Sequence, residues 1–154
     1  MTQRHKNLKI LAFVGLKGSG KATVISYLNQ KGYPKVSRED MVSQIDHLAD
    51  AGQHRVITDE LSEFELYKTI KHEFPAELTL VALITEKRTR HHRLSKQVGD
   101  PMNEQESSAS DWTEVENDQA QLIGLADTHI ENDGSIDELY RAIDELVTEL
   151  GFEL

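Results

Sequence analysis

Apolar residues recur along this chain in two alternating rhythms. Leu8 to Val14 is a short apolar run that ends at Gly15, the pattern of a strand buried on both faces. Lys21 to Gln30 then carries Val24, Ile25 and Leu28 at helical spacing, and Gly32 stands where a helix C-cap belongs. Tyr33 to Val36 predicts a weak second strand, and Asp40 to Ala51 a helix through Met41, Ile45, Leu48 and Ala49. Arg55 to Thr58 reads as a short strand ending at Asp59. Ser62 with Glu65 has capping-box spacing and predicts a helix through Phe64, Tyr67 and Ile70. Leu78 to Ile84 is the clearest strand after the first, and a basic helix follows from about Glu86 to Gln97.

The rhythm then lapses. Val98 to Ser110 is polar, with a Gly-Asp-Pro break and a Ser-Ser-Ala-Ser run, and predicts a mobile loop. A helix resumes near Asp111 and runs to Leu125 with Trp112, Val115, Leu122 and Ile123. Thr128 to Ile130 predicts a short edge strand, and Asn132-Asp133-Gly134 a turn. Ser135 and Glu138 form a second capping box, opening a helix with Ile136, Leu139, Ile143, Leu146 and Val147 on one face. Strand followed by helix, repeated about five times, implies an α/β fold: about five parallel strands with helices on both faces, in three layers. No repeat or linker divides the chain, so residues 1–154 are expected to form one domain. In such folds ligands gather at the carboxyl ends of the strands.

Composition narrows the classes. At 38% hydrophobic and 29% charged residues, the chain has the balance of a folded globular protein rather than a disordered one. The absence of cysteine excludes a disulfide framework, a thiol nucleophile and any thiolate-held metal. No apolar run approaches the roughly 20 residues of a membrane span. Met1 to Lys9 is basic without an apolar stretch, so no signal peptide is read and a cytoplasmic location is expected. The net charge of −10 is unevenly spread: residues 1–99 carry a balance of +5 and residues 100–154 one of −15. The carboxyl third would repel a phosphate backbone, so nucleic-acid binding is not expected. A bound anion belongs against the first two-thirds.

The sharpest signal is Gly15-Leu16-Lys17-Gly18-Ser19-Gly20-Lys21-Ala22-Thr23, between an apolar strand and an amphipathic helix. That is the context a phosphate-binding loop of the Walker A type requires. Gly15, Gly18 and Gly20 allow a tight loop whose amides turn inward as an anion nest, and the helix from Lys21 adds its positive dipole end. Lys21 supplies a mobile cation for the outer phosphates of a nucleotide. Gly15, Lys17, Gly18, Ser19, Gly20, Lys21, Ala22 and Thr23 are therefore the candidate nucleotide-binding residues.

Ala22 stands where a magnesium-binding serine or threonine is usual, and Thr23 follows. In this the loop resembles that of the adenylate-kinase-like nucleoside monophosphate kinases, and the resemblance implies phosphate or magnesium contact for Thr23. Three further segments resemble that family. Ser37-Arg38-Glu39-Asp40-Met41 is similar to the segment that opens its acceptor-binding helices, and Val56-Ile57-Thr58-Asp59 to its strand ending in an aspartate that helps hold magnesium through water. Arg90-His91-His92-Arg93 is similar to the Arg-x-x-Arg at the lid entrance, which implies a lid-like helix and loop over residues 86–118. Leu125 to Ser135 resembles a segment of the dephospho-coenzyme A kinases, where backbone groups after the last strand cradle adenine; this implies Gly134 and Ser135.

The resemblance implies a P-loop kinase using ATP and Mg²⁺. Its candidate catalytic residues are Lys21, Asp59, Arg90, Arg93 and Asp40, the last positioning or deprotonating an acceptor hydroxyl; Thr23 and Asp59 are the candidate metal contacts. Nucleoside or deoxynucleoside monophosphates are the expected acceptors, with dephospho-coenzyme A as the alternative. Departures from the family open a third reading, a nucleotide-binding sensor or degenerate kinase without turnover. Glu60, Leu61, Ser62 and Glu63 stand where an acceptor-gripping arginine is usual, and Lys96 is the only Lys or Arg between Arg93 and Arg141. Asp111 and Glu114 match an acidic Asp-x-x-Glu element, but Ser110 precedes it in place of arginine. Plainer roles stay open: Asp40 favoured by a helix dipole, Asp59 a solvated strand end, and Arg90 and Arg93 a solvated helix face. His91 and His92 are expected at the surface, and Trp112 in core or lid packing.

Overall fold

Along β1 (Lys9–Val14) successive side chains alternate between two apolar environments, so this strand must be covered on both faces. The computed structural model describes residues 5–154; Met1 to Arg4 and the side chains of Glu114 and Val115, both read above, lie outside the described residues. The elements that follow are α1 (Lys21–Gln30), α2 (Met41–Asp50), β2 (Arg55–Thr58), α3 (Phe64–Glu73), β3 (Leu78–Ile84), α4 (Lys87–Lys96), α5 (Glu104–Ser110), α6 (Glu114–Leu125), β4 (Thr128–Glu131) and α7 (Ile136–Glu149). The strands form one parallel sheet in the order β2-β1-β3-β4.

Ile10, Ala12 and Val14 of β1 pack with Leu80 and Ala82 of β3 under Met41 and Ile45 of α2, Ile70 of α3 and Leu122 of α6. Leu11 and Phe13 turn the other way, with Val81 and Leu83, against Val24 and Leu28 of α1 and Leu139 and Ile143 of α7. The result is the expected three-layer α/β fold, helices on both faces of a parallel sheet. Each of the large side chains in these layers that leaves water stabilises the fold by about 1.5–3 kcal/mol before chain entropy is counted.

The sheet has four strands among the described residues rather than about five. Tyr33 to Val36 makes a single bridge, Lys35 to Ile57, flanked by hydrogen bonds from Ile57 N–H to the Pro34 carbonyl and from Val36 N–H to the Ile57 carbonyl. Pro34 has no N–H to extend the ladder. The segment expected as a loop from Val98 to Ser110 contains α5. Asn103 Oδ1 accepts from Glu106 N–H at 2.8 Å, and Glu106 Oε1 accepts from Asn103 N–H at 2.9 Å. The Ser62–Glu65 box does not form: α3 begins after Glu63, whose side chain makes no cap. Its first amide, Phe64 N–H, donates instead to Asp118 Oδ2 of α6 at 3.1 Å. The Ser135–Glu138 box does form, at 2.9 and 3.2 Å.

Candidate functional site

The chain leaves β1 toward β2 on one side of the sheet and later inserts β3 on the other, so the crevice at the end of β1 is a topological switch point. Gly15 to Thr23 occupies it. Gly20 is the N-cap of α1 at φ 104°, ψ 14°, a conformation that costs a residue with a Cβ. No side chain caps α1 and its first turn holds no acid, so its open amides and dipole end are available to an anion.

A cavity of about 520 Å³ lies over the loop, with Lys21, Thr23, Asp59, Arg93, Gln97 and Glu116 among its walls. Lys17, Gly18, Ser19, Gly20 and Ala22 line it too. Burial pulls the Lys21 ammonium below its ordinary value, while the negative charges of Glu116 and Asp59 pull the other way. Lys21 Nζ donates to Gln119 Oε1 at 3.2 Å. Asp59 lies 3.8 Å from Lys35 Nζ, which pairs more closely with Glu60 at 3.2 Å.

Arg90 and Arg93 of α4 both meet the loop's backbone. Arg93 donates to the Gly18 carbonyl at 3.2 Å and to the Asn132 carbonyl at 2.8 Å. Arg90 is buried, donates to Asp111 Oδ1 at 2.8 Å and reaches the Lys17 carbonyl at 3.4 Å. A Cβ on Gly18 would stand 2.9 Å from the Arg90 carbonyl oxygen, which is how closely α4 approaches the loop. Holding the Lys17 and Gly18 carbonyls from outside favours a loop whose amides point inward.

Asp111 also accepts from His91 Nε2 at 2.9 Å, and His91 Nδ1 lies 3.0 Å from Glu104. Burial pushes the Asp111 carboxyl up, but the hydrogen bonds from Arg90 and His91 outweigh it and hold the group below its ordinary value. His91 is thus buried, not at the surface as expected, because two carboxylates satisfy its ring. Trp112 reverses its expectation as well: it is 82% exposed.

The candidates do not all converge. Asp40 is the exposed N-cap of α2, at φ 47°, and is not among the cavity's walls. Gly134 lines a smaller cavity of about 180 Å³ beside Gly20, Thr23 and Arg93, while the Ser135 hydroxyl is committed to capping α7. Besides Arg90 and Arg93, three further residues outside the motif hold the loop. Asn132 Nδ2 donates to the Ser19 carbonyl at 2.8 Å. Gln119 Oε1 accepts from Gly15 N–H at 3.0 Å while its Nε2 donates to the Leu61 carbonyl, and Glu116 Oε2 accepts from Lys17 N–H at 3.0 Å. The only sequence signal for the last two is a pair of polar residues three apart on an amphipathic helix.

A hydroxyl and a carboxylate facing an anion site, Thr23 and Asp59, are the hard oxygen donors magnesium takes when water and phosphate complete its shell. Among the described residues no group of three or more His, Asp or Glu forms a ready-made metal cage. No helix among them is long and apolar enough to cross a membrane.

A parallel sheet between two helical layers, with a glycine loop running from its central strand into a helix, defines the fold of the P-loop kinases. No protein-family model matches the chain. It is 25% identical to a UPF0200 protein of Thermococcus sibiricus, over 94% of this chain and 96% of that one. The shikimate kinase of Bacteroides thetaiotaomicron shares the fold with a TM-score of 0.61 at 11% identity, covering 93% of this chain and 98% of its own. A Janibacter sugar kinase gives 0.62 at 17% identity, covering 94% and 95%.

Proposed function

We propose that this protein is an ATP-dependent, magnesium-assisted phosphotransferase acting on a small molecule. The observation that carries the reading is the uncapped start of α1 with Lys21, opening on a cavity of about 520 Å³ that Thr23, Asp59 and Arg93 share. Phosphoryl transfer asks a protein for alignment and charge neutralisation more than for covalent chemistry. The loop amides and Lys21 bind the phosphates; Arg93 faces them while holding the loop. Thr23 and Asp59 hold magnesium, which neutralises phosphate charge when bound. Arg90, paired with Asp111, shapes the loop from behind. Gly134 and the cavity beside it take the nucleoside end, with Ser135 contributing backbone only.

Nucleoside or deoxynucleoside monophosphates are the first acceptors in this reading, and dephospho-coenzyme A the second. Only the second accepts the phosphoryl group on a hydroxyl, which needs a base within reach. Of the two candidate carboxylates Asp59 lines the cavity and Asp40 does not, and serving as that base would exclude Asp59 from the metal. A binding protein without turnover is the second function, favoured by one feature: Arg38, the arginine of the expected acceptor segment, is ion-paired with Glu63, whose carboxylate offsets the charge an acceptor phosphate would meet there.

The test is ADP formation from ATP and Mg²⁺ across ribo- and deoxynucleoside monophosphates and dephospho-coenzyme A, with calorimetric ATP binding alongside. Lys21→Ala should abolish turnover and weaken ATP binding at least about tenfold, with the fold intact. Equal ATP affinity and activity in that variant would sink the reading. ATP binding with a flat acceptor panel selects the protein without turnover.

A further inference from the structure

Glu116 has no part in the chemistry just described, yet it is one of the most confined carboxylates of the chain, 6% exposed at the wall of the phosphate cavity. It lies on the same face of α6 as Gln119, one turn away, and both side chains turn their oxygens onto the loop. Gln119 Oε1 takes Gly15 N–H at 3.0 Å and Lys21 Nζ at 3.2 Å. Glu116 Oε2 takes Lys17 N–H at 3.0 Å. The Lys17 amide belongs to the loop whose inward N–H groups would receive phosphate oxygens, and here its acceptor is an anionic oxygen of the protein itself.

We propose that Glu116 is an internal anion that competes with the nucleotide's phosphates for the loop, so that nucleotide binding requires its carboxylate to leave the Lys17 amide. The inference rests on the phosphate-loop reading above and deepens it. One N–H in this geometry serves one strong acceptor, and a carboxylate left beside an arriving polyphosphate in a confined site opposes it by like charge. Gln119 is neutral and can remain on Gly15. Glu116 cannot stay without cost. Its negative charge also favours the protonated form of Lys21 against the desolvation that opposes it. The helix carrying it is held at its start by the Thr113 hydroxyl, which accepts from Glu116 N–H at 3.2 Å, so the carboxylate can swing away while the backbone remains capped.

The experiment is calorimetric titration of the full chain with ATP and Mg²⁺, and separately with pyrophosphate, which presents phosphates without a base. Four proteins are compared: wild type, Glu116→Gln, Glu116→Ala and Asp118→Asn. Glu116→Gln keeps the size and an acceptor for Lys17, so it guards against loss of fold in the alanine variant. Asp118→Asn removes the same charge from the same helix at a position that faces Phe64 instead. Both Glu116 variants should bind ATP and pyrophosphate about fivefold to tenfold tighter than wild type, and Asp118→Asn less than about twofold tighter.

Unchanged or weaker binding in both Glu116 variants, with Lys21→Ala run alongside and still weakening ATP binding at least about tenfold, overturns the competition and leaves the phosphate loop standing. An equal gain in Asp118→Asn overturns it as well, because the effect is then general charge. Failure of ATP and pyrophosphate to bind any of the proteins overturns both readings together.

Discussion

Gly20→Ala separates two reasons for a glycine at the mouth of the loop. The backbone there has φ 104° and ψ 14°, and a Cβ would stand 2.6 Å from Asn132 Nδ2. Placing a side chain at positive φ costs about 1–2 kcal/mol. The contact adds a second cost. Asn132 is 6% exposed and donates to the Ser19 carbonyl at 2.8 Å; pushing its amide aside leaves a buried donor unpaired and that carbonyl with only the Thr85 hydroxyl at 3.4 Å, about 1–3 kcal/mol. Together the loss should be about 2–5 kcal/mol. Gly52→Ala is the comparison, since Gly52 has φ 88° and nothing within 4 Å of a Cβ, so only the backbone cost applies. Urea denaturation followed by far-ultraviolet circular dichroism measures both, provided the slopes agree. In an Asn132→Ala background the Gly20→Ala cost should fall to that of Gly52→Ala, because the obstructing atom is gone. Equal losses for Gly20→Ala and Gly52→Ala in the otherwise unaltered chain would refute the close contact as a determinant of the loop.

Asp118→Ala should destabilise by about 1 kcal/mol, the usual worth of a helix cap, while Ser62→Ala stays within about 0.5 kcal/mol, because α3 takes its cap from α6. The reverse order in urea denaturation would restore the local capping box. Asp111→Asn should cost about 3 kcal/mol at neutral pH by leaving buried Arg90 without its anion. The Asp111 carboxyl is held below its ordinary 3.8, so its stabilisation is present above that value and is lost as pH falls through the lowered one. Thermal melts between neutrality and strong acid should therefore show a shallower acid limb in Asp111→Asn than in the unaltered chain, and parallel limbs would count against the pairing.

Local spacing was enough for the parts of this protein that depend on neighbours in the chain. The apolar run of Leu8 to Val14, the glycines before Lys21 and the Ser135–Glu138 box each encode their structure within a few residues, and the structure keeps all three. The Asn103-x-x-Glu106 signal that opens α5 was equally local, but the polar run around it reads as a loop because α5 has a single buried residue, Ser107. Tertiary structure decided what depends on partners. Tyr33 to Val36 stops at one bridge because pairing belongs to the neighbouring strand as much as to the segment. Arg90 and Arg93 share a helix face in sequence, yet Arg90 turns to Asp111 and Arg93 reaches the backbone at Gly18 and Asn132. Glu116 and Gln119 reach the loop across about a hundred residues of chain, and nothing in their own spacing identifies Lys17, Gly15 or Lys21 as partners. Helical and strand periods follow from backbone geometry repeated residue by residue, whereas the partner of a buried charge is chosen by whichever group the packed layers bring within hydrogen-bonding distance.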